Sequence, residues 1–310
     1  MKEIRSKRSI YFYTTTIFSF FTLISLSAYL AFIFLNKFQN GVATLGVCLL
    51  PLLSIFTITF AVYTVWFYNK ATPSLYITYK EIKVNEKTYS IEDVNHIDFT
   101  GKQPFKYLAP YNFKEGAEIS FKNGNVFYIY DELYANTSSI KTFLYKVYNN
   151  KEVIHIPANI YNIKSEAVHY YTGGFFSNNK IVVITLTLVG IITLIIFNTG
   201  FSIIIPVFAL FIFLVLSLIF SGEMYYFGVS ENYFVVRNHV LFWKKEVYSL
   251  QFVNEIVFEK VYKYRKGLRL ITKNYNTDFY TTTTLSADNY PKLKYHLEKQ
   301  GIKIRDELNF

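Results

Sequence analysis

Cysteine is almost missing from this chain. Cys48 is the only one, so an internal disulfide and any metal centre built from clustered thiolates are excluded. The five histidines, His96, His155, His169, His239 and His296, are scattered, and none belongs to an H-E-x-x-H pair. No P-loop, no G-x-G-x-x-G and no G-x-S-x-G occurs. The adjacent acids Glu92-Asp93 and Asp131-Glu132 read as solvated neighbours, because successive strand side chains point to opposite faces. No catalytic, cofactor or metal residue is therefore expected, and the chain reads as a non-enzyme.

The second shortage is charge. Only 17% of residues are Asp, Glu, Lys or Arg, against 52% apolar, and four stretches carry no ionisable acid, base or histidine. They run from Ile10 to Leu35, Val42 to Tyr68, Ile181 to Phe197 and Phe201 to Ser221. A helix needs roughly 17–25 apolar residues to cross the hydrocarbon, and only a helix satisfies its own backbone there. The four stretches fall into two pairs with short links, Asn36 to Gly41 and Asn198 to Gly200. Two transmembrane hairpins are expected. The first run is too long for a signal-peptide core of ~7–15 residues.

Basic residues set the orientation. Lys2, Arg5, Lys7 and Arg8 precede the first span against one acid, Glu3, while the hairpin links hold only Lys37. The positive-inside bias places both termini and both soluble parts in the cytoplasm. Tyr11-Phe12-Tyr13, Trp66-Phe67-Tyr68 and Tyr225-Tyr226-Phe227 suit the aromatic belts at the membrane edges. Intramembrane ionisable residues, the usual mark of ion pathways, are absent from the spans. A small transporter or channel subunit is thus a minor alternative. Pro51, Pro206, Gly46 and Gly190 read as helix-packing positions.

What is present is a repeat. Tyr89-Ser90-Ile91-Glu92-Asp93-Val94-Asn95-His96-Ile97-Asp98-Phe99 follows the second span, and Tyr248-Ser249-Leu250-Gln251-Phe252-Val253-Asn254-Glu255-Ile256-Val257-Phe258 follows the fourth. Gly116, Lys122, Asn123 and Asn125 then match Gly267, Lys273, Asn274 and Asn276. Tyr76 to Val84, Gly228 to Arg237, Glu118 to Phe121 and Val126 to Tyr130 read as strands. Lys122-Asn123-Gly124-Asn125 reads as a hairpin turn. Ile140, Phe143, Leu144 and Val147 follow helical spacing, as do Tyr290, Leu293 and Leu297. Asp288 or Asn289 caps the latter helix, Pro291 sits in its first turn and Gly301 stops it.

The run Gly228-Val229-Ser230-Glu231-Asn232-Tyr233-Phe234-Val235-Val236-Arg237, the Tyr248-Ser249-Leu250 strand, the Val253-to-Phe258 segment and a last helix resemble the bacterial pleckstrin-homology-like family. The likeness covers both soluble copies and implies a fold and a place at the membrane, with no catalytic residues. The expected class is membrane α-helical plus α+β: two hairpins, each followed by a pleckstrin-homology-like small barrel closed by a C-terminal helix. The expected boundaries are a basic tail (1–9), hairpin one (10–69), domain one (70–150), a linker (151–179), hairpin two (180–221) and domain two (222–310). The bias to Lys over Arg and the abundance of Asn, Ile, Phe and Tyr suggest an AT-rich bacterial genome.

Charge supplies the candidate contacts. Domain one is close to neutral, whereas domain two gathers basic residues. Arg237, Lys244 and Lys245 flank a hairpin with Trp243 near its tip, and Lys260, Lys263, Arg265, Lys266 and Arg269 crowd the next turn. Each basic residue near an anionic leaflet contributes ~1 kcal/mol. These residues are the candidate contacts for anionic membrane lipid or for a partner. The preferred expectation is a scaffold whose domains bind a protein partner or a second copy; a lipid-responsive module is the alternative. Nucleic acid is not expected, given the tethering and the interspersed acids.

Overall fold

A computed structural model describes residues 3–41, 44–107, 112–150, 166–173, 222, 224–239, 241, 243–261 and 265–308. The chain forms two compact units, Met1–Val153 and Ile154–Phe310. The third and fourth uncharged stretches lie outside the described residues.

In the first unit, helices α1 (Ile10–Gln39) and α2 (Leu45–Ala71) are both long and apolar enough to cross a membrane. Their 30 and 27 residues correspond to roughly 40–45 Å at 1.5 Å per residue, against about 30 Å of hydrocarbon. Phe18, Phe21, Phe32, Leu52, Ile55 and Phe56 are exposed, unlike the residues of a soluble core helix. The expected link at Asn36–Gln39 is instead the last turn of α1. Between the helices, the Ser27 and Ser54 hydroxyls lie 2.7 Å apart, and each donates to the other's carbonyl, at 3.0 and 3.1 Å. In an apolar medium such a bond contributes about 0.6 kcal/mol on average. A double-mutant cycle with Ser27→Ala and Ser54→Ala, read by unfolding in mixed micelles, is expected to return a coupling of that order.

The tail before α1 is not loose. Strand β1 (Glu3–Arg5) pairs antiparallel with β2 (Leu75–Thr78), which follows α2. Ser6 N–H donates to the Leu75 carbonyl at 2.8 Å, and Ser9 N–H to that of Leu133 at 2.9 Å. Ser9 also caps α1, accepting from Phe12 N–H at 3.1 Å. The chain therefore enters and leaves the hairpin beside the same sheet. That sheet continues with β3 (Glu81–Val84) and β4 (Lys87–Ser90), in the order β1-β2-β3-β4. The expected single strand from Tyr76 to Val84 is thus a hairpin. Its turn is made by Thr78, whose hydroxyl accepts from the N–H groups of Lys80 and Glu81.

The second sheet of the unit holds β5 (Val94–Asp98), β6 (Lys102–Pro104), β7 (Phe113–Phe121) and β8 (Val126–Tyr130). Long strand β7 pairs with β5, β6 and β8. Helix α3 (Thr137–Asn149) buries Ile140, Phe143, Leu144 and Val147 as its spacing predicts. It also buries Lys141, whose Nζ lies 2.6 Å from Asp131, and Glu132 pairs with Lys114. These two acids are engaged, not solvated.

The second unit repeats the pattern of connections. Strand β9 (His169–Tyr171) pairs with β10 (Tyr225–Val229), although 53 residues lie between them. Residues 169–171, expected in a linker, are part of the domain. The sheet runs β12-β11-β10-β9, with β11 at Tyr233–Asn238 and β12 at Lys245–Ser249. The expected strand from Gly228 to Arg237 is again two strands, broken where Ser230 Oγ accepts from Tyr233 N–H at 3.1 Å. The second sheet, β15-β14-β13-β16, contains β13 (Val253–Val261), β14 (Arg265–Thr272), β15 (Thr277–Thr281) and β16 (Lys303–Asp306). Helix α4 (Asn289–Lys299) buries Tyr290, Leu293 and Leu297. It is not the last element, because β16 follows and pairs parallel with β13. Asp288 stands at its N-cap without a side-chain bond.

The matched sequence segments occupy matching places. Each is a strand, a 3₁₀ turn at Ile91–Asp93 or Leu250–Phe252, and a further strand. The register then shifts between Val94 and His96, and between Val253 and Glu255. Asn95 and Asn254 are therefore both the extra residue of a bulge. Gly116 and Gly267 both lie where the neighbouring strand passes closely. A Cβ at Gly116 would come within 2.5 Å of the Ile129 carbonyl oxygen, and one at Gly267 would meet the Phe279 ring.

Candidate functional site

The basic residues of the second unit do not form one patch. Arg237 lies opposite Tyr226 and Lys245 in the first sheet, and its guanidinium carbon is 5.4 Å from the centre of the Tyr170 ring. Lys245 is exposed beside it, and Trp243 is 68% exposed in the preceding turn. Lys260 and Lys266 face each other on the β13–β14 hairpin, both exposed. Lys263 and the Arg265 side chain lie outside the described residues. Two expected contacts are engaged within the fold, and one of them turns inward. Arg269 is 4% exposed and its Nε donates to Glu259 at 2.6 Å. Lys244 folds back to the Tyr225 hydroxyl at 2.6 Å and stands 3.9 Å from Glu246. The cost of an uncompensated buried carboxylate draws Arg269 inward, whereas Lys244 and Glu246 both stay partly exposed.

Lys244 belongs to a polar cluster where the outer strands β12 and β15 of the two sheets meet. The Tyr248 hydroxyl lies 2.9 Å from Glu246 and 3.0 Å from Asp278, and Tyr280 bonds both Tyr248 and Glu246. Burial, with the Glu246 charge adding to it, raises the Asp278 carboxyl above the ordinary carboxylate range. The Tyr248 and Tyr280 hydroxyls are also raised, chiefly by burial, so both remain protonated donors. The Tyr225 bond, reinforced by Glu246 and Asp278, keeps Lys244 charged. This arrangement closes the corner between the sheets.

The corresponding corner of the first unit is open. Between β4 and β8 lies a cleft of about 890 Å³. Tyr89 and Phe121 stack in it with ring centres 4.2 Å apart, and Phe127 and Val126 extend the apolar floor. Lys70, Asn85, Glu86, Lys87 and Asn125 form the rim. Lys70 is in the last turn of α2 and lies 5.1 Å over the Trp66 ring. No sequence signal marked this cleft, because its residues come from three separate segments.

Tyr107 ties the same unit to its helices. Its hydroxyl and the Thr64 hydroxyl share a hydrogen bond at 2.9 Å, and its ring lies against those of Tyr63, Phe67 and Tyr68. In the second unit, β9 is tied to α4 through the Tyr171 hydroxyl and His296 Nδ1 at 2.7 Å, with His169 6.2 Å from His296 between ring centres. Two of the scattered histidines thus become neighbours. Among the described residues, no group of three or more His, Cys, Asp or Glu is placed to hold a metal.

Burial, then His169 and Lys299, hold His296 below the ordinary histidine pKa, and burial does the same to His239, which lies 4.5 Å from Tyr226 between ring centres. A depressed histidine favours the neutral folded form. The stabilisation is full above the ordinary value near 6.5 and is lost as pH falls through the folded value. Thermal unfolding of the full chain is therefore expected at lower temperature at pH ~5.5 than at pH ~7.5. Replacing both histidines with Asn should flatten that difference.

No protein-family model matches the chain, and no curated protein matches it.

Proposed function

We propose that the chain is a non-enzymatic, multi-pass membrane scaffold. Its two transmembrane hairpins each carry a pleckstrin-homology-like domain to the cytoplasmic face, where the domains bind a protein partner or a second copy. One observation carries this reading. The strand preceding each hairpin segment is built into the sheet that follows it, β1 with β2 and β9 with β10. In the first unit this ties the domain to the helices that carry it, which suits display of a binding surface at the membrane. The shared order of connections, the paired bulges at Asn95 and Asn254 and the paired glycines support duplication of one unit.

The lipid-responsive alternative keeps a narrower basis in the second domain. Arg269 and Lys244 are engaged within the fold, Arg237 and Lys266 lie over the Tyr170 and Tyr290 rings, and Lys245 and Lys260 are exposed. Exposed Trp243 and Lys245 favour contact with a surface of some kind.

Purification of the full chain in mild detergent is expected to recover a defined oligomer or a stoichiometric protein partner. A lone monomer under several mild conditions would reject the scaffold. Single-cysteine labelling in a Cys48→Ala background should place residues 70–150 and 222–308 on the same side of the membrane; opposite sides would reject the topology.

A further inference from the structure

We propose that the open corner of the first unit, between β4 and β8, holds the phosphate headgroup of an anionic phospholipid from the leaflet at which α2 ends. The inference rests on the membrane reading of α1 and α2.

Position is the first argument. The cleft is lined by Lys70 from the last turn of α2 and by Pro73 and Ser74 from the segment joining that helix to β2. Its mouth is therefore within a few residues of the point where the span meets the leaflet surface. Trp66, one turn earlier and under Lys70, has the amphipathic ring that settles at that depth.

Charge is the second argument. Lys70 and Lys87 stand on the rim against a single carboxylate, Glu86. Asn85 and Asn125 add amide groups able to donate to phosphate oxygens. Below them, the stacked Tyr89 and Phe121 rings and Phe127 provide an apolar floor. A rim of cations and amides over an aromatic floor fits a phospholipid headgroup, with its phosphate at the rim, the group beyond the phosphate over the rings and the acyl chains left in the leaflet.

The second unit supplies the contrast. Its outer strands meet at the same corner, but Glu246 and Asp278, bridged by Tyr248 and Tyr280, fill the junction. The tyrosines close the space, and the one cation there, Lys244, is already engaged by Tyr225 and Glu246. The two units thus divide the work: the first receives lipid at this corner and the second does not.

The test uses full-length protein in phosphatidylcholine nanodiscs doped with photoactivatable phosphatidylglycerol, with cross-linked peptides mapped by mass spectrometry. Label is expected on peptides containing residues 84–89 and 121–127. At ~1 kcal/mol per lysine, about fivefold less label is expected for Lys70→Gln or Lys87→Gln alone. Lys87→Arg should retain it, and Lys245→Gln in the second unit should leave it unchanged. Wild-type thermal unfolding of each variant separates lost binding from lost folding.

Label unaffected by both lysine substitutions, or equal label from photoactivatable phosphatidylcholine, would overturn the proposal. Competition by soluble glycerol phosphate would identify a free phosphate ester as the ligand and overturn the lipid assignment. Alkaline carbonate extraction keeps the two readings apart. Protein that stays in the membrane pellet but takes no label defeats this inference alone, whereas protein released by carbonate defeats the membrane reading as well.

Discussion

Arg269→Ala is expected to destabilise the second unit by about 3–5 kcal/mol, the cost of removing one partner from a buried ion pair. Glu259 is fully buried, and the Arg269 guanidinium is its hydrogen-bond donor at 2.6 Å. The guanidinium carbon also lies 5.4 Å from the centre of the Phe279 ring. Without the arginine, a carboxylate near the turn end of the β13–β14 pair loses this compensation. Replacing both residues, as Glu259→Leu with Arg269→Met, should recover much of the loss, because a buried pair exchanged for apolar side chains is often neutral. Arg269→Lys should fall between, since an ammonium lacks the planar fork that pairs and stacks together. Hydrogen exchange of the β13–β15 amides in the full-length protein reads all three. Unchanged protection in Arg269→Ala would show that the pair does not hold the sheet. The result also bears on function: weaker membrane association in this variant would report unfolding, not a lost lipid contact.

Ile4→Asp is expected to detach β1 from the first unit. Ile4 is 6% exposed and packs in the core that also contains Leu75, Ile77 and Leu133. Losing its burial costs about 1.5–3 kcal/mol, and a carboxylate there adds a desolvation penalty of several kcal/mol if it stays buried. The strand escapes that penalty by leaving the sheet, so its own docking energy limits the total. Detachment also threatens the bonds that follow, Ser6 to Leu75, Lys7 to Ala135 and Ser9 to Leu133. Faster amide exchange is expected in β2 and at the start of α1, with the second unit unaffected. Arg5→Ala, at an exposed position of the same strand, is the control and should change little. Equal protection of β2 in Ile4→Asp and the control would show that β1 is dispensable.

The sequence made some elements plain and concealed others for physical reasons. Helices α1 and α2 were legible because charge stops at Ile10 and resumes at Lys70, apart from Lys37. The buried faces of α3 and α4 followed from their spacing. The turns at Thr78 and Ser230 escaped notice because hydroxyls make them, with no proline or glycine among the turn residues. Strands β1 and β9 were hidden because three residues carry no usable period and their partners are distant in sequence. For the candidate contacts, composition located the basic residues but not their direction. Arg269 turns inward to Glu259 on the neighbouring strand, Lys244 folds back onto Tyr225 beside Glu246, and Arg237 and Lys245 share a sheet face. The cleft beside Lys70 was invisible because it is assembled from the end of a helix, a hairpin and two further strands.

Pairing β1 with β2 has a consequence for biogenesis. Glu3 is matched with Thr78, so the first strand is synthesised well before the strand that will hold it. At ~5–20 residues per second, the wait lasts roughly 4–15 s. During that interval both apolar helices emerge from the ribosome. Closure of the first β domain therefore reports that the intervening hairpin has brought its two ends back together. A chain whose two helices fail to pair is left with β1 unmatched.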